Sequence, residues 1–320
     1  MKTTVITLFA AAALTFAACG STHNEATSAQ PAATADSRHV DFVADSAVAL
    51  VQKQCDFGPR VPGTPAHKQC GQWLAQQLAA WCDTVHAQHA TVTTFDGTQL
   101  QITNYVGVFN PDAQQRVLLV AHWDCRPWAD QDPDPAKRRE PVLGANDAAS
   151  GVAVMLELAR IMHNERPTVG VDLLMTDAED WGQENNDDSW ALGTQYWASH
   201  PHVEGYAPAF GILLDMVGAQ GAQFAPEYFS MQYAPSTVKL VWETARDAGY
   251  GAFFTTRSGG AVTDDHMPIN RAGIPCIDIV DMRGDGFFEG WHTTHDTPDV
   301  IAAATLKAVG QTLSNLIYNY

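Results

Sequence analysis

The chain has 320 residues, of which 18 are Lys or Arg and 36 are Asp or Glu, and its formal net charge is −18. This charge balance argues against nucleic acid as a partner, because phosphate binding needs clustered Lys and Arg. The length is sufficient for one large α/β domain with a sizeable core, even after removal of an export segment. We expect a monomer.

The N-terminus has the pattern of a bacterial lipoprotein signal. Met1-Lys2 precedes an apolar run over residues 5–18 that is short for a bilayer span, and Cys19 follows small residues. This pattern predicts a signal peptide over 1–18, lipid attachment at Cys19 and a flexible tether over 19–40. The protein is then exported and membrane-anchored, facing the periplasm or the cell surface. The alternative is an ordinary secretory signal with a chance cysteine.

The remainder of the chain, residues 41–320, is predicted to form a single catalytic domain. In chain order, its predicted elements are a helix over 41–54, a turn-rich loop over 57–63, a helix over 66–82, a strand over 115–122, a helix over 150–163, strands over 169–176 and 210–214, a helix over 235–248, a strand over 274–280 and a helix over 306–318. This alternation predicts a three-layer α/β sandwich with a mixed, mostly parallel central sheet flanked by helices.

The cysteines after Cys19 give no sign of a cysteine metal site, since none of them forms a C-x-x-C pair. They are Cys55, Cys70, Cys82, Cys125 and Cys276. Export permits some of them to form disulfides, but the sequence assigns no pairing.

Histidine and acidic residues cluster where the predicted strands end. The set comprises His122, Asp147, Asp180, Asp215 and His292. Imidazole and carboxylate are the ligands of a catalytic zinc that keeps a position open for substrate, and ligands of α/β folds bind beyond the carboxyl ends of strands. Each residue alone has a structural explanation: Asp147, for instance, is suitably placed to cap the following helix. Their joint placement at one edge favours zinc.

A series of motifs occurs in order along the chain. They are His122-Trp123-Asp124, residues 144–152 (GANDAASGV), residues 177–180 (DAED), Leu214-Asp215, residues 264–268 (DDHMP) and Trp291-His292-Thr293. Together they resemble the zinc aminopeptidase superfamily, which includes the glutaminyl cyclases, over roughly residues 45–318. In aminopeptidases of this group, the matching residues hold two zinc ions and the first acid of an acidic pair is the general base. The resemblance therefore makes Glu179 the base and Asp180 a ligand.

The finer resemblance is to the animal-type glutaminyl cyclases and their bacterial counterparts. Residues 57–63 (FGPRVPG), the doubled acid Asp264-Asp265 and the Trp291-His292 pair resemble cyclase motifs. A single zinc is then implied, held by residues matching Asp147, Asp180 and His292, with His122 and Asp215 hydrogen-bonded nearby. All five potential ligands are present, so the sequence leaves open whether one or two zinc ions bind.

The implied reaction converts the N-terminal glutamine of peptides or exported proteins to pyroglutamate with release of ammonia. Zinc polarises the γ-carbonyl, and Glu179 shuttles a proton under like-charge pressure from Asp215 and Asp264. Candidate substrate-binding walls are Trp291 and Phe287, with Trp181 a weaker candidate and Trp190 assigned to ordinary packing. Two alternatives are kept: a di-zinc aminopeptidase that removes N-terminal residues, and a non-catalytic surface binding protein.

Overall fold

The computed structural model describes residues 38–284 and 286–320. The predicted signal peptide, Cys19 and nearly all of the tether lie outside the described residues, so these assignments remain predictions. None of the helices in the described part of the chain combines the length and apolar character of a membrane span.

The centre of the fold is a six-stranded sheet with the strand order β1-β2-β4-β3-β5-β6. Its strands are β1 (Thr84–Thr93), β2 (Gln99–Phe109), β3 (Arg116–His122), β4 (Gly170–Thr176), β5 (Phe210–Asp215) and β6 (Cys276–Val280). The β1–β2 and β2–β4 pairs are antiparallel, and the pairs that join β4, β3, β5 and β6 are parallel. A separate ribbon pairs β7 (Met282–Arg283) with β8 (Gly286–Phe287).

Helices cover both faces of this sheet. They are α1 (Ala44–Cys55), α2 (Pro65–Trp81), α3 (Ala149–Asn164), α4 (Leu192–Ser199), α5 (Tyr228–Tyr233), α6 (Pro235–Asp247), α7 (His266–Arg271) and α8 (Ala303–Asn319). Alternate residues of β3 enter different clusters: Leu119 packs with α1, α2, α3 and α8, whereas Leu118 packs with Trp197 of α4 and Ile269 of α7. The predicted three-layer α/β sandwich with a mixed, mostly parallel sheet is confirmed.

The antiparallel strands β1 and β2 were not predicted from the sequence. In β1, side chains alternate between exposed and half-buried positions along the strand. The strand lies at the edge of the sheet and is half solvated, so it lacks the continuous apolar run that marks the parallel strands. Its pairing with β2 extends the sheet on the side of β4.

The centre of the sheet brings three strand ends together. Strands β4, β3 and β5 are adjacent and parallel, so their carboxyl ends meet at the same edge. His122 is the last residue of β3, and Asp215 is the last residue of β5. The loop that follows β4 carries Glu179 and Asp180. This edge is where ligands of open α/β sheets bind.

Candidate functional site

Two overlapping groups of donor atoms lie at the carboxyl edge of the sheet. Asp147, Asp180 and His292 form one group, and His122, Asp147 and Asp215 form the other; within each group the donor atoms lie within 4.8 Å of one another. His292 Nε2 lies 3.1 Å from Asp180 Oδ1 and 3.7 Å from Asp147 Oδ2. His122 Nε2 lies 2.9 Å from Asp147 Oδ1 and 3.4 Å from Asp215 Oδ1. Asp147 is therefore common to both groups.

The first group fits a zinc ion. One imidazole and two carboxylates are a catalytic zinc donor set that leaves a position open. Asp180 Oδ2 is buried and has no hydrogen-bond partner among the described residues. A buried carboxylate oxygen without a donor is costly unless a cation satisfies it. The second group has the same donor chemistry and offers a place for a second ion that shares Asp147.

The loop before α3 is built to present Asp147. The carboxylate of Asp296 accepts hydrogen bonds from the backbone N–H groups of Asn146 (2.7 Å) and Asp147 (3.0 Å). The buried Arg60 donates from Nη2 to the carbonyl of Gly144 at 2.7 Å. Ala148 occupies the N-cap of α3, which has no side-chain cap. The side chain of Asp147 therefore faces the donor groups instead of capping the helix.

Arg126 supports the first donor group from behind, and it was not among the residues predicted from the sequence. Its guanidinium donates to Asp180 Oδ1 at 3.2 Å and, through two nitrogens, to the Asp130 carboxylate at 2.8 and 2.5 Å. Asp130 Oδ1 lies 3.6 Å from His292 Nδ1. Arg126 is 1 % exposed. One buried cation thus contacts one metal-ligand candidate directly and another through Asp130. The sequence signal was an arginine four residues after His122 and four before an aspartate.

Replacing Arg126 with methionine is expected to lower zinc affinity about 10–100-fold, the usual cost of losing an outer partner of a metal ligand. The replacement frees Asp180 and leaves Asp130 without its bidentate partner. Competition with a chromogenic chelator measures the affinity, and Arg126→Lys is expected to recover part of it by restoring the charge. Equal affinity in the Met variant and the wild type would show that Arg126 has no positioning role.

A cavity of about 230 Å³ opens directly over these donors. Its lining includes the predicted site residues Asp147, Glu179, Asp215, Asp264, Phe287, Trp291 and His292, together with Glu184, Trp190, Met216, Ala261, Val262 and Thr263. The Trp291 ring stacks on His292 with a centroid distance of 3.8 Å, and Phe287 lies 4.7 Å from Trp291. The structure thus brings these predicted catalytic, metal and aromatic residues into one pocket.

The positions of Trp181 and Trp190 differ from those expected from the sequence. Trp190 lines the cavity, with its ring 6.0 Å from that of His292 and at 16° to it. Trp181 packs in a hydrophobic cluster with Leu192 and others and is not part of the cavity lining. The reason is Gly182, where an added Cβ would lie 1.9 Å from the Trp190 ring. Only glycine admits the ring at this position.

Burial and mutual repulsion raise the pKa values of three carboxyls in this pocket, those of Glu179, Asp215 and Asp264. Burial raises the pKa of Glu179 well above its usual range, and the Asp264 charge adds to the effect. Burial and the Asp147 charge raise the pKa of Asp215 to about 6. For Asp264, burial and the Asp215 charge raise the pKa well above its usual range. A raised pKa lies closer to neutral pH, which suits a carboxyl that must both take up and release a proton.

Left-handed backbone occurs beside several of these groups. Ala178, Met216 and His292 have φ values of 53°, 51° and 54°. Ala178 precedes Glu179, and Met216 follows Asp215. Residues with a side chain pay about 1–3 kcal/mol for this conformation, and such strain concentrates at functional sites. The left-handed conformation at these residues therefore lowers folding stability while it orients the side chains of Glu179, Asp215 and His292.

Asp278 in β6 is a buried carboxyl that no donor satisfies. Both oxygens are buried without a hydrogen-bond partner in the described part of the chain. Burial, followed by the charge of Asp264, raises the pKa of Asp278 well above its usual range. The folded protein therefore retains a proton that the unfolded chain releases above the ordinary aspartate pKa of 3.8. Folding stability is thus lost as pH rises from that value through the folded-state pKa.

Asp278→Asn removes this titration with little change in shape. We expect the variant to gain stability over the wild type at pH 8, on the order of 1 kcal/mol for each unit by which the folded pKa is raised. The gain shrinks at pH 5. Urea denaturation at the two pH values measures it, and a loss of stability at pH 8 would contradict the assignment of Asp278 as an unsatisfied acid.

Each of the cysteines after Cys19 is a free thiol. Cys55, Cys70, Cys125 and Cys276 are buried, and Cys82 is half-buried. Burial raises their pKa values, to about 11 for Cys55 and Cys70 and about 12 for Cys82. These thiols belong to the hydrophobic packing and not to the donor groups.

Comparison with solved structures places this geometry among known enzymes. A Bacteroides thetaiotaomicron glutaminyl cyclase bound to N-acetylhistamine is 46 % identical, with a TM-score of 0.87, over 88 % of this chain and 100 % of that one. A Zn-dependent exopeptidase from Parabacteroides distasonis is 47 % identical, with a TM-score of 0.86, over 88 % and 100 %. Among curated proteins, the glutaminyl-peptide cyclotransferase of Bos taurus is 23 % identical over 82 % of this chain and 78 % of its own length.

The family assignment rests on most of the catalytic region. Residues 104–317 match peptidase family M28. This range includes every donor residue of both groups and every residue that lines the cavity. The chain belongs to peptidase family M28.

Proposed function

We propose that this protein is a glutaminyl cyclase that converts N-terminal glutamine to pyroglutamate and releases ammonia. The observation that carries the proposal is the position of Glu179, a buried acid with a raised pKa in the same small cavity as the donors Asp147 and His292. The chain is 46 % identical to a solved bacterial glutaminyl cyclase over 88 % of its length, and this similarity supports cyclase activity within the family.

The reaction needs an intramolecular attack and the relay of one proton in two transfers. The substrate's α-amine nitrogen bonds to its γ-carbonyl carbon, the bond from that carbon to the side-chain nitrogen breaks, and ammonia leaves. Asp147, Asp180 and His292 would hold a zinc ion, which would supply Lewis acidity for the attack on the γ-carbonyl group. Glu179 takes the proton from the attacking amine and returns it to the departing nitrogen.

The remaining pocket residues influence the protonation of Glu179 and orient the substrate. Asp264 repels the Glu179 charge, so a proton taken up by Glu179 is held until the leaving nitrogen accepts it. The rings of Trp291, Phe287 and Trp190 enclose a space in which the glutamine side chain folds back toward its own amine. Holding a flexible chain in a reactive shape removes much of the entropic barrier to ring closure.

Mass spectrometry tests the proposed reaction directly. A peptide that begins with glutamine is incubated with the zinc-loaded protein and followed over time. Loss of the mass of one ammonia molecule, with ammonia in solution, is the expected result. The same peptide without enzyme controls for spontaneous cyclisation, and a peptide of the same composition with glutamine at its second position is expected to show no loss of ammonia. An intact glutamine-initiated peptide would overturn the proposal.

The second donor group supports an alternative, a di-zinc aminopeptidase. His122, Asp147 and Asp215 have the donor types for a second ion, with Asp147 between the two. Two metals that share a carboxylate activate water for hydrolysis. The same peptide assay separates the reactions, because hydrolysis releases free glutamine and shortens the peptide by one residue.

We further propose that the enzyme is exported and anchored through lipid on Cys19. The support is the short apolar run over residues 5–18, the small residues before Cys19 and the polar tether after it. Exported proteins present new N-termini once their signals are removed, so enzyme and substrates share a compartment. Metabolic labelling with radioactive palmitate is expected to label the wild type but not Cys19→Ala. Equal labelling of both would contradict the anchor.

A further inference from the structure

The mouth of the catalytic cavity carries one charged side chain that the proposed reaction does not use. Glu184 lines the cavity and is exposed, whereas the other acids of the lining, such as Glu179 and Asp264, are buried. None of the described residues that line the cavity is a lysine or an arginine. The charge of Glu184 therefore faces the opening without a cation beside it.

The Glu184 side chain is held by a hydrogen bond from Gln131. The side-chain amide of Gln131 donates to Glu184 Oε1 at 3.0 Å, and the backbone N–H of Gln131 donates to the carbonyl of His292 at 3.1 Å. Through Gln131, the carboxylate is thus tied to the segment that carries a metal-ligand candidate. The hydrogen bonds and ion pairs of the described residues include no partner for the other oxygen, Oε2.

The backbone around Glu184 is also fixed. Residues 183–186 form a tight turn in which the Asn186 N–H donates to the Gln183 carbonyl at 3.1 Å. Ser189 Oγ accepts a hydrogen bond from the Gln183 N–H at 2.8 Å and donates to the Asn186 carbonyl at 2.6 Å. A carboxylate on a turn braced in this way loses little freedom when it meets a ligand.

The second residue of a peptide substrate must lie at this mouth. The proposed reaction places the first residue over the buried acids, and its carbonyl leads the chain outward past the exposed part of the lining. We propose that Glu184 forms a subsite for the second residue and selects peptides with a cationic side chain there, such as Gln-Lys or Gln-Arg. This inference rests on the proposed function, because that function sets which residue occupies the cavity.

Binding separates this inference from the reaction itself. The probes are peptides Gln-Lys, Gln-Ala and Gln-Glu with one common, uncharged continuation and a fluorophore at the C-terminus. Fluorescence anisotropy with the zinc-loaded Glu179→Gln protein gives Kd without turnover. We expect the Lys peptide to bind about 10-fold more tightly than the Glu peptide. The effect is modest because the Glu184 charge is partly solvated, so it attracts the Lys side chain and repels the Glu side chain only weakly. Raising the salt concentration is expected to reduce this ratio.

Variants test whether the ratio of the Kd values for the Lys and Glu peptides depends on the Glu184 side chain. In the Glu179→Gln background, Glu184→Gln is expected to bring the Lys and Glu peptides within about two-fold of each other, and Glu184→Lys to invert their order. Asp187→Asn removes the same charge from the same loop at an exposed residue outside the cavity lining, so it is expected to preserve the ratio.

Equal Kd values for the three peptides, or a ratio that persists in Glu184→Gln, would overturn the subsite. The subsite would also be overturned if Asp187→Asn reduced the ratio of the Kd values for the Lys and Glu peptides as much as Glu184→Gln does. The preference would then come from the net charge of the loop. Absence of cyclisation by the protein with Glu179 intact contradicts the proposed function alone, because the anisotropy ratios do not depend on turnover.

Discussion

Glu179→Gln is expected to lower kcat for a glutamine-initiated peptide by about 10²–10⁴-fold, the usual contribution of a general acid–base group. Glutamine preserves the size of the side chain but neither takes a proton from the attacking amine nor returns one to the leaving nitrogen. The residue lines the cavity and is 7 % exposed, so bulk water is poorly placed to replace it. Steady-state ammonia release measures kcat and KM.

The Glu179 experiment needs evidence that the variant still folds and binds metal. Zinc content is expected to match that of the wild type, since Glu179 belongs to neither donor group. The melting temperature is expected to be no lower, because the substitution removes a buried acid whose pKa is raised. A matched control is Glu243→Gln on α6, whose partly exposed carboxylate pairs with Lys239 at 3.6 Å. That variant is expected to keep full activity. A Glu179→Gln protein with wild-type kcat would remove Glu179 from the mechanism.

His292→Ala and His122→Ala are expected to differ sharply, because each removes a histidine from a different donor group. A single zinc at the first group predicts that His292→Ala loses the metal and at least about 100-fold in activity, as a Lewis acid supplies several kcal/mol of barrier reduction. His122→Ala is expected to keep one equivalent of zinc. Its activity falls less, through the loss of a partner for Asp215, 3.4 Å away.

Metal analysis of the wild type and both histidine variants decides the number of ions. The expected zinc contents are one equivalent in the wild type, one in His122→Ala and none in His292→Ala after gel filtration. Two equivalents in the wild type and one in His122→Ala would instead support the di-zinc aminopeptidase. Replacing His163, an exposed histidine near the end of α3, controls for histidine loss elsewhere and is expected to change neither zinc nor activity.

Much of the sheet was predictable because its central strands are buried on both faces. The strand at 116–122 is a nearly continuous apolar run, and a residue of different chemistry, His122, marks its end. That end is a functional position in parallel sheets, so strand prediction also located candidate site residues. The β1–β2 hairpin was not predicted, because a half-solvated edge strand contains polar residues that interrupt the apolar pattern of a strand.

The supporting contacts of the site were hard to predict, because they join residues that are distant in the chain. Arg126 is buried by tertiary packing and satisfied by Asp130 and Asp180, the latter 54 positions away. Its spacing from His122 and Asp130 is visible in the sequence, but that spacing alone does not distinguish it from a surface arginine. The exchange between Trp181 and Trp190 has a similar origin, because the absence of a side chain at Gly182 decides which ring reaches the cavity.

The size of the catalytic cavity limits which chains the enzyme reaches. The space over the strand ends, about 230 Å³, is of a size that suits one residue, and the proposed reaction needs the free α-amine of that residue inside it. Under the proposed function, the substrate must therefore arrive end first, with its first residue free of its own fold. Which substrate proteins are modified then depends on when their N-termini are accessible. An N-terminus that is packed against its own protein is not modified. An N-terminus that is exposed while that protein is still folding is modified.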